Sequence, residues 1–106
     1  MKTTVVNIKT GGKYDEYIGR SSSPYHYGNL FIIGIHGNRE EVCNKFDLWL
    51  RGIAYSHIEP KRRIWIIRNM SKLKGKILGC FCKPEDCHGD IYAELLNSGD
   101  YLNLKE

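Results

Sequence analysis

Hydrophobic residues gather in short stretches, each bounded by glycine or by polar residues. The stretches at 3–9 and 14–18 alternate or cluster apolar side chains, which is typical of β-strands. Gly11-Gly12 lies between them, so the pattern predicts a turn and an N-terminal hairpin. Leu30 to Ile35 is a continuous apolar run, which predicts a strand buried on both faces.

Three helices are predicted from apolar residues at helical spacing. The first begins after Asn38, an N-cap that forms a capping box with Glu41. The second runs from about residue 61 to residue 72 and ends before Gly75, and the third ends near Ser98-Gly99. The predicted buried positions are Val42, Phe46, Trp49, Leu50 and Ile53 in the first helix, Ile64, Ile67 and Met70 in the second, and Ile91, Tyr92, Leu95 and Leu96 in the third.

A late strand is predicted at 76–82, between the second and third helices. The strands at 30–35 and 76–82 flank a helical crossover, so we expect them to be parallel neighbours with a right-handed connection. The predicted fold is a small single α/β domain over residues 1–106. It has a mostly parallel open sheet, an N-terminal hairpin and about three helices.

Composition narrows the setting. The chain has 106 residues, of which 42% are hydrophobic and 26% charged, as in an ordinary globular domain. No apolar run is long enough to span a membrane, and no signal peptide is evident, so we expect a cytoplasmic protein with no membrane partner. The net charge of +4 favours anionic partners without requiring nucleic acid. The sequence is also compatible with a homo-oligomer.

Potential metal-ligating and nucleophilic residues are concentrated at 80–90, whose sequence is Cys-Phe-Cys-Lys-Pro-Glu-Asp-Cys-His-Gly-Asp. A zinc site could use Cys80, Cys82, Cys87 and His88. The spacing differs from the usual zinc knuckle, so we expect no cofactor and keep zinc as an alternative. An exposed Cys87 at the positive end of the last helix would have a lowered pKa. Cys87 and Asp90 are therefore the candidate catalytic residues of an enzymatic alternative.

The polar residues near predicted strand ends suggest an anion site instead. Unpaired amides at a helix start attract anions, and a glycine allows close approach to the backbone. Guanidinium and hydroxyl groups can cradle a phosphate. The candidate ligand-binding residues are Arg20, Ser21, Ser22, Asn29, His36, Arg39, Cys82, His88, Gly89 and Asp90.

A basic set follows the middle of the chain, and on a helix it would mostly face water opposite the apolar positions. Nucleic-acid binding is its alternative use. The set comprises Lys61, Arg62, Arg63, Arg68, Lys72, Lys74 and Lys76.

Several of these motifs occur in an order that resembles a phage and bacterial domain-of-unknown-function family, number four-three-two-six. The family commonly ends in Cys-aromatic-Cys-x-Pro-x-x-Cys-His-Gly-Asp, and the resemblance spans nearly the whole chain. It implies a compact α/β fold and a phage-type setting, and it lends no catalytic residues. One departure is Tyr27 and Leu30, where the family commonly has tryptophan and proline. The matching segments are Thr4–Asn7, Tyr17–Arg20, Tyr27–Phe31, Gly37–Glu41 and Leu78–Asp90.

We therefore expect the protein to bind a small anionic, nucleotide-like ligand at the C-terminal edge of the sheet. If phage-encoded, it would act in the host cytoplasm and capture a host nucleotide or immune signal. One alternative is a nucleoside- or nucleotide-processing enzyme, glycosidase- or transferase-like. The other is a zinc-stabilised or nucleic-acid-binding interaction module. The ligand hypothesis requires segments 34–39 and 82–90 to border one hollow.

Overall fold

A computed structural model describes all 106 residues of the chain. It contains a three-stranded parallel sheet and three α-helices, which confirms the predicted fold class. None of the helices has the length and apolar character needed to cross a membrane. The elements are β1 (Thr4–Asn7), β2 (Glu16–Tyr17), α1 (Arg39–Leu50), α2 (Pro60–Asn69), β3 (Ile77–Cys80) and α3 (His88–Ser98).

The sheet has the order β1-β3-β2, and both outer strands run parallel to β3. The predicted N-terminal hairpin is therefore wrong, because β1 and β2 do not pair with each other. The chain between them passes over β3 at Gly79. A Cβ at Gly79 would lie 2.8 Å from Cγ of Tyr14 and 2.9 Å from Cδ1 of Ile8. The missing side chain of Gly79 is what lets this connection cross so closely.

The predicted strand at Leu30–Ile35 is also wrong, and so is its pairing with the strand at 76–82. Both edges of β3 are already occupied, and Gly34 turns the chain with a φ of 89°. The Gly34 N–H donates to the Gly37 carbonyl at 2.8 Å. Phe31 alone in this run is buried, whereas Ile35 is 72% exposed. The apolar run thus forms a turn-rich surface segment.

The helix boundaries agree well with the capping residues in the sequence. Asn38 and Glu41 form the predicted capping box at the start of α1. Ile53 falls beyond the end of that helix and is 69% exposed. The third helix ends at Ser98, followed by Gly99 with a φ of 85°, as a glycine after a helix commonly has.

The second helix buries a different face from the one predicted. Arg62 and Arg63 are buried, whereas Ile64 and Ile67 are only partly buried. The Arg62 guanidinium donates to the carbonyls of His26 at 2.9 Å and Gly28 at 2.8 Å. Two of the seven basic residues therefore hold the fold together, because each buried guanidinium is satisfied by backbone carbonyls.

One hydrophobic cluster lies where the helices meet the sheet. Its aromatic members pack edge to face, with the rings of Phe46 and Tyr92 centred 5.4 Å apart. The Tyr92 hydroxyl is satisfied inside the core by donating to the Tyr27 carbonyl at 2.8 Å. The largest fully buried side chains include Trp49, Tyr92, Phe46, Ile18, Leu50 and Ile66.

We expect Arg62→Met to lower the free energy of unfolding by about 2–4 kcal/mol, because it leaves buried carbonyls without their charged donor. The matched control is Arg68→Met on the same helix, where the side chain is exposed and pairs with Glu106. That change should leave the free energy of unfolding nearly unchanged, because exposed ion pairs contribute little to stability. Urea denaturation of both variants measures the difference, and equal losses would contradict the structural role of Arg62.

Candidate functional site

A cavity of about 410 Å³ opens at the carboxyl edge of the sheet. Its walls are formed by the chain after β2, the turn-rich 29–33 segment, the first turns of α1, the chain after β3 and the start of α3. This size is within the range of small-molecule sites, and the position is where open parallel sheets bind ligands. The lining residues are Tyr17, Gly19, Arg20, Asn29, Phe31, Ile32, Ile33, Arg39, Val42, Cys43, Cys80, Phe81, Cys82, Asp86, Cys87 and His88.

Arg20 and Asn29 build one wall of this cavity. The Arg20 guanidinium donates from Nε to the Asn29 carbonyl at 2.8 Å and from Nη2 to the Phe31 carbonyl at 3.1 Å. The Asn29 side-chain amide donates to the Val42 carbonyl at 3.1 Å and accepts from the Phe31 N–H at 2.9 Å. These hydrogen bonds position the 29–31 segment against α1, and the remaining guanidinium N–H groups of Arg20 have no partner within the chain.

Arg39 connects the two segments that the ligand hypothesis requires to be adjacent. It is the first residue of α1, and its Nη1 donates to the Asp86 carbonyl at 3.3 Å. Arg39 is the one residue of 34–39 that lines the cavity, and Cys82 and Asp86 are among those that line it from 82–90. Segments 34–39 and 82–90 thus border a shared hollow, with a guanidinium between them.

Three thiols converge on the cavity wall. The Sγ atoms of Cys80, Cys82 and Cys87 all lie within 4.8 Å of one another, and all four cysteines of the chain are free. Cys80 is the last residue of β3 and Cys87 is the N-cap of α3, so the sheet and the helix each contribute a sulfur. This is a donor set that could hold a soft or borderline metal ion.

The thiols differ in acidity. A hydrogen bond from Cys87, helped by the guanidinium of Arg39, lowers the pKa of Cys82 to about 6. The hydrogen bond with Cys82 raises the pKa of Cys87 well above its ordinary value, and burial of the thiol raises it further. The lowered pKa expected for an exposed Cys87 therefore does not apply, because this side chain is only 2% exposed. The readily ionised thiol is Cys82.

His88 is buried beside the thiols and held by the backbone. Its Nε2 lies 2.6 Å from the Ile18 carbonyl, and burial lowers its pKa to about 4. Since a carbonyl can only accept, Nε2 carries the proton of the neutral ring. Nδ1 then presents its lone pair 3.6 Å from the Cys87 sulfur.

The start of α3 is capped by its own side chains. The Gly89 N–H donates to the Cys87 sulfur at 3.3 Å, and the Cys87 N–H donates to the Asp90 carboxylate at 3.2 Å. Asp90 also pairs with Lys83. Part of the N–H groups at this helix start are therefore already bonded within the chain, and the expectation that its amides attract an anion stays a prediction.

Gly89 has a packing role. A Cβ at this position would lie 2.7 Å from Cδ1 of Ile18 and 2.9 Å from Cγ1 of Val5. The missing side chain allows α3 to approach the sheet, whereas the sequence alone suggested that it allows a ligand to approach the backbone. Gly89 and Asp90 do not line the cavity.

The cavity includes about half of the residues predicted to contact a ligand. Arg20, Asn29, Arg39, Cys82 and His88 line it, as does the candidate nucleophile Cys87. Ser21 and Ser22 lie on an exposed loop outside the lining. The imidazole of His36 is also outside, where its Nδ1 accepts the Ile32 N–H at 2.8 Å.

Several lining residues were absent from the predicted set. Cys43 is four residues after Arg39, a spacing that places both on one helix face and could have identified it. Tyr17 is the last residue of β2, and Phe81 directly follows β3. Their rings meet edge to face with centroids 5.8 Å apart. Ile32 and Ile33 carried no such signal, because their run was assigned to a buried strand.

Comparison with known proteins places the chain in a family. Residues 6–98 match the family described as Domain of unknown function (DUF4326), and the chain belongs to it. It is 32% identical over 98 residues to the "Uncharacterized 12.4 kDa protein in nrdA-td intergenic region" of Enterobacteria phage T4, covering 87% of this chain and 67% of the relative. No solved structure matches the chain.

We expect wild-type stability to fall as the pH drops from about 6.5 to about 4, because unfolding releases His88 to bind a proton that the folded state excludes. The stabilising contribution is full above the unfolded pKa and is lost on acidification. His88→Gln keeps a donor for the Ile18 carbonyl but does not titrate. We expect the free energy of unfolding of His88→Gln to change with pH less steeply than that of wild type, by up to about 1.4 kcal/mol per pH unit. Denaturant unfolding across this pH range measures both slopes. Exposed His57→Gln is the control, and an unchanged slope in His88→Gln would contradict the assignment.

Proposed function

We propose that the protein binds a small anionic, nucleotide-like ligand in the cavity at the carboxyl edge of the sheet. The observation that carries this proposal is the Arg39 guanidinium on the wall of a largely apolar hollow of about 410 Å³. Guanidinium groups bind phosphate and carboxylate oxygens through paired donors. Because capping boxes engage part of the amides at both helix starts, the proposal assigns anion recognition to Arg39.

The aromatic side chains at the cavity suit a flat ring. Phe81 lines the cavity and is 48% exposed, Tyr17 meets it edge to face, and the Lys9 Nζ lies 5.4 Å from the centre of its ring. Stacking on such side chains is how many proteins hold bases. A ligand with a ring and an anionic group would satisfy both features.

Charge supports a small ligand over a nucleic acid. The net charge of +4 is modest, and burial removes Arg62 and Arg63 from the basic surface predicted for α2. A nucleic-acid interface needs a continuous exposed basic patch. The phage relative adds context: we propose that the protein acts in a host cytoplasm, where the ligand would be a host nucleotide or immune signal.

We expect titration calorimetry with a panel of nucleoside mono- and diphosphates to detect binding that Arg39→Met weakens by about 10–100-fold. This is the loss expected on removing a charge-assisted hydrogen bond. Arg68→Met removes an equal charge away from the cavity and should leave affinity unchanged.

Failure of the wild-type protein to bind any member of the panel at millimolar concentration would contradict the proposal. An equal loss in both arginine variants would show a nonspecific charge effect. Chromatography of the nucleotides after incubation tests the enzymatic alternative, since chemical turnover would appear as a new product.

A second candidate, a metal-stabilised module, is favoured by one observation, the convergence of three sulfur atoms within 4.8 Å. Zinc prefers such thiolate ligands and is commonly four-coordinate. Cys80, Cys82 and Cys87 would hold the ion. His88 lies against Cys87 but outside this group, so the four-residue set proposed from sequence is reduced to three.

We expect protein purified without chelator to contain stoichiometric zinc, which elemental analysis measures directly. Cys82→Ser should lower zinc affinity by more than the roughly 10–100-fold that outer-shell changes cost, because it removes a direct ligand. Cys43→Ser is the matched control on the same cavity and should retain the metal. Metal-free wild-type protein that also fails to take up added zinc would exclude this candidate.

A further inference from the structure

We propose that a metal ion held by Cys80, Cys82 and Cys87 has a fourth position that opens into the cavity and accepts an aromatic ring nitrogen. This inference rests on the metal-binding candidate proposed above. It makes the ion part of the ligand site, because all three sulfur-bearing residues line the same hollow. Three protein ligands with an open position are the arrangement of ligand-binding and catalytic zinc sites, whereas structural sites are closed by four.

His88 is the nearest side chain that could close the site, and its surroundings prevent it. Its Nδ1 lies 3.6 Å from the Cys87 sulfur but is not within reach of all three thiols. The ring is fixed by the 2.6 Å contact with the Ile18 carbonyl and packs edge to face with Phe46 at 5.3 Å and Tyr92 at 5.9 Å. Moving Nδ1 toward Cys80 and Cys82 would break these contacts.

The other donors on the wall are also outside the group. Cys43 and Asp86 line the cavity, but neither places a ligand atom within 4.8 Å of all three sulfurs. No fourth protein ligand is therefore in place around the cluster. A zinc ion bound here would complete its shell with a molecule from the cavity.

Charge decides which kind of molecule is favoured. A divalent ion with three thiolates carries a formal net charge of minus one, so a neutral donor is preferred over a further anion. The Arg39 guanidinium remains nearby for the anionic part of a ligand. Phe81 and Tyr17 provide aromatic surface for a flat ring. A nitrogen heterocycle joined to an anionic group matches these three features together.

The experiment uses cobalt in place of zinc, because its visible absorption reports the coordination shell. Wild-type protein is loaded with Co²⁺, and imidazole is added as the probe, with inorganic phosphate in a parallel titration. We expect thiolate-to-cobalt charge-transfer bands on loading, followed by a saturable shift of the visible bands with imidazole. Phosphate should cause a smaller shift or none. Desalting after the titration confirms that imidazole has not removed the metal.

Three outcomes separate the hypotheses. If imidazole shifts the spectrum in wild type, His88→Gln and Cys43→Ser alike, the open position is supported. If imidazole has no effect on cobalt-loaded wild type, this inference is overturned, and a variant that alters the cobalt spectrum identifies the protein ligand that closes the site. If no charge-transfer bands form, the metal candidate itself is wrong, and nucleotide binding through Arg39 still stands on its own calorimetric test.

Discussion

The parallel pairing of β3 with strands on both of its sides is the constraint on which the rest of the structure depends. A short strand in a small protein gains most when both edges are hydrogen-bonded, since unpaired buried backbone groups are costly. Here β1 and β2 supply those partners, and Gly79 leaves the space in which their connection crosses. The end of β3 then fixes Cys80 and Phe81 at the carboxyl edge, and the start of α3 fixes Cys87 opposite them.

Around that edge, the polar groups divide into those that build the hollow and those that remain available to a ligand. Arg20 and Asn29 are occupied by backbone groups of the 29–31 segment and of α1. At both helix N-termini a capping box gives partners to part of the backbone N–H groups. The groups that remain for recognition are the free donors of Arg20 and Arg39, the thiol cluster and the exposed aromatic surface. The chemistry of the site is thus carried by side chains, although the fold resembles those in which backbone amides often bind anions.

The sequence predicted features that depend on local interactions better than those that depend on which segments meet. The capping box of Asn38 and the glycine after α3 were readable because their hydrogen bonds span only a few residues. The hairpin and the 30–35 strand failed because strand partners are set by competition for the edges of β3, which no local pattern reveals. The burial of Arg62 was not predicted for a related reason, because its carbonyl partners lie more than thirty residues away in the chain.

The candidate site was predicted in part. The three cysteines and Arg39 were evident from residue type. The cavity opens at the sheet edge that the parallel-sheet argument indicated, although the 30–35 strand in that argument does not form. The serine loop and His36 were not separable from true lining residues, since a polar residue in a loop reads the same whether it faces a hollow or solvent. Cys43 was detectable by its helical spacing from Arg39.

The close packing of Gly89 against Ile18 and Val5 affects the entropy cost of binding at the thiol cluster. Because backbone proximity holds α3 against the sheet, the spacing of the sulfur atoms is established when the chain folds. The cluster is preorganised, so binding of a metal ion or ligand would immobilise few additional side chains and cost little conformational entropy. A methyl group added at that single position would spread the helix from the sheet and loosen the cluster without altering any of its donors.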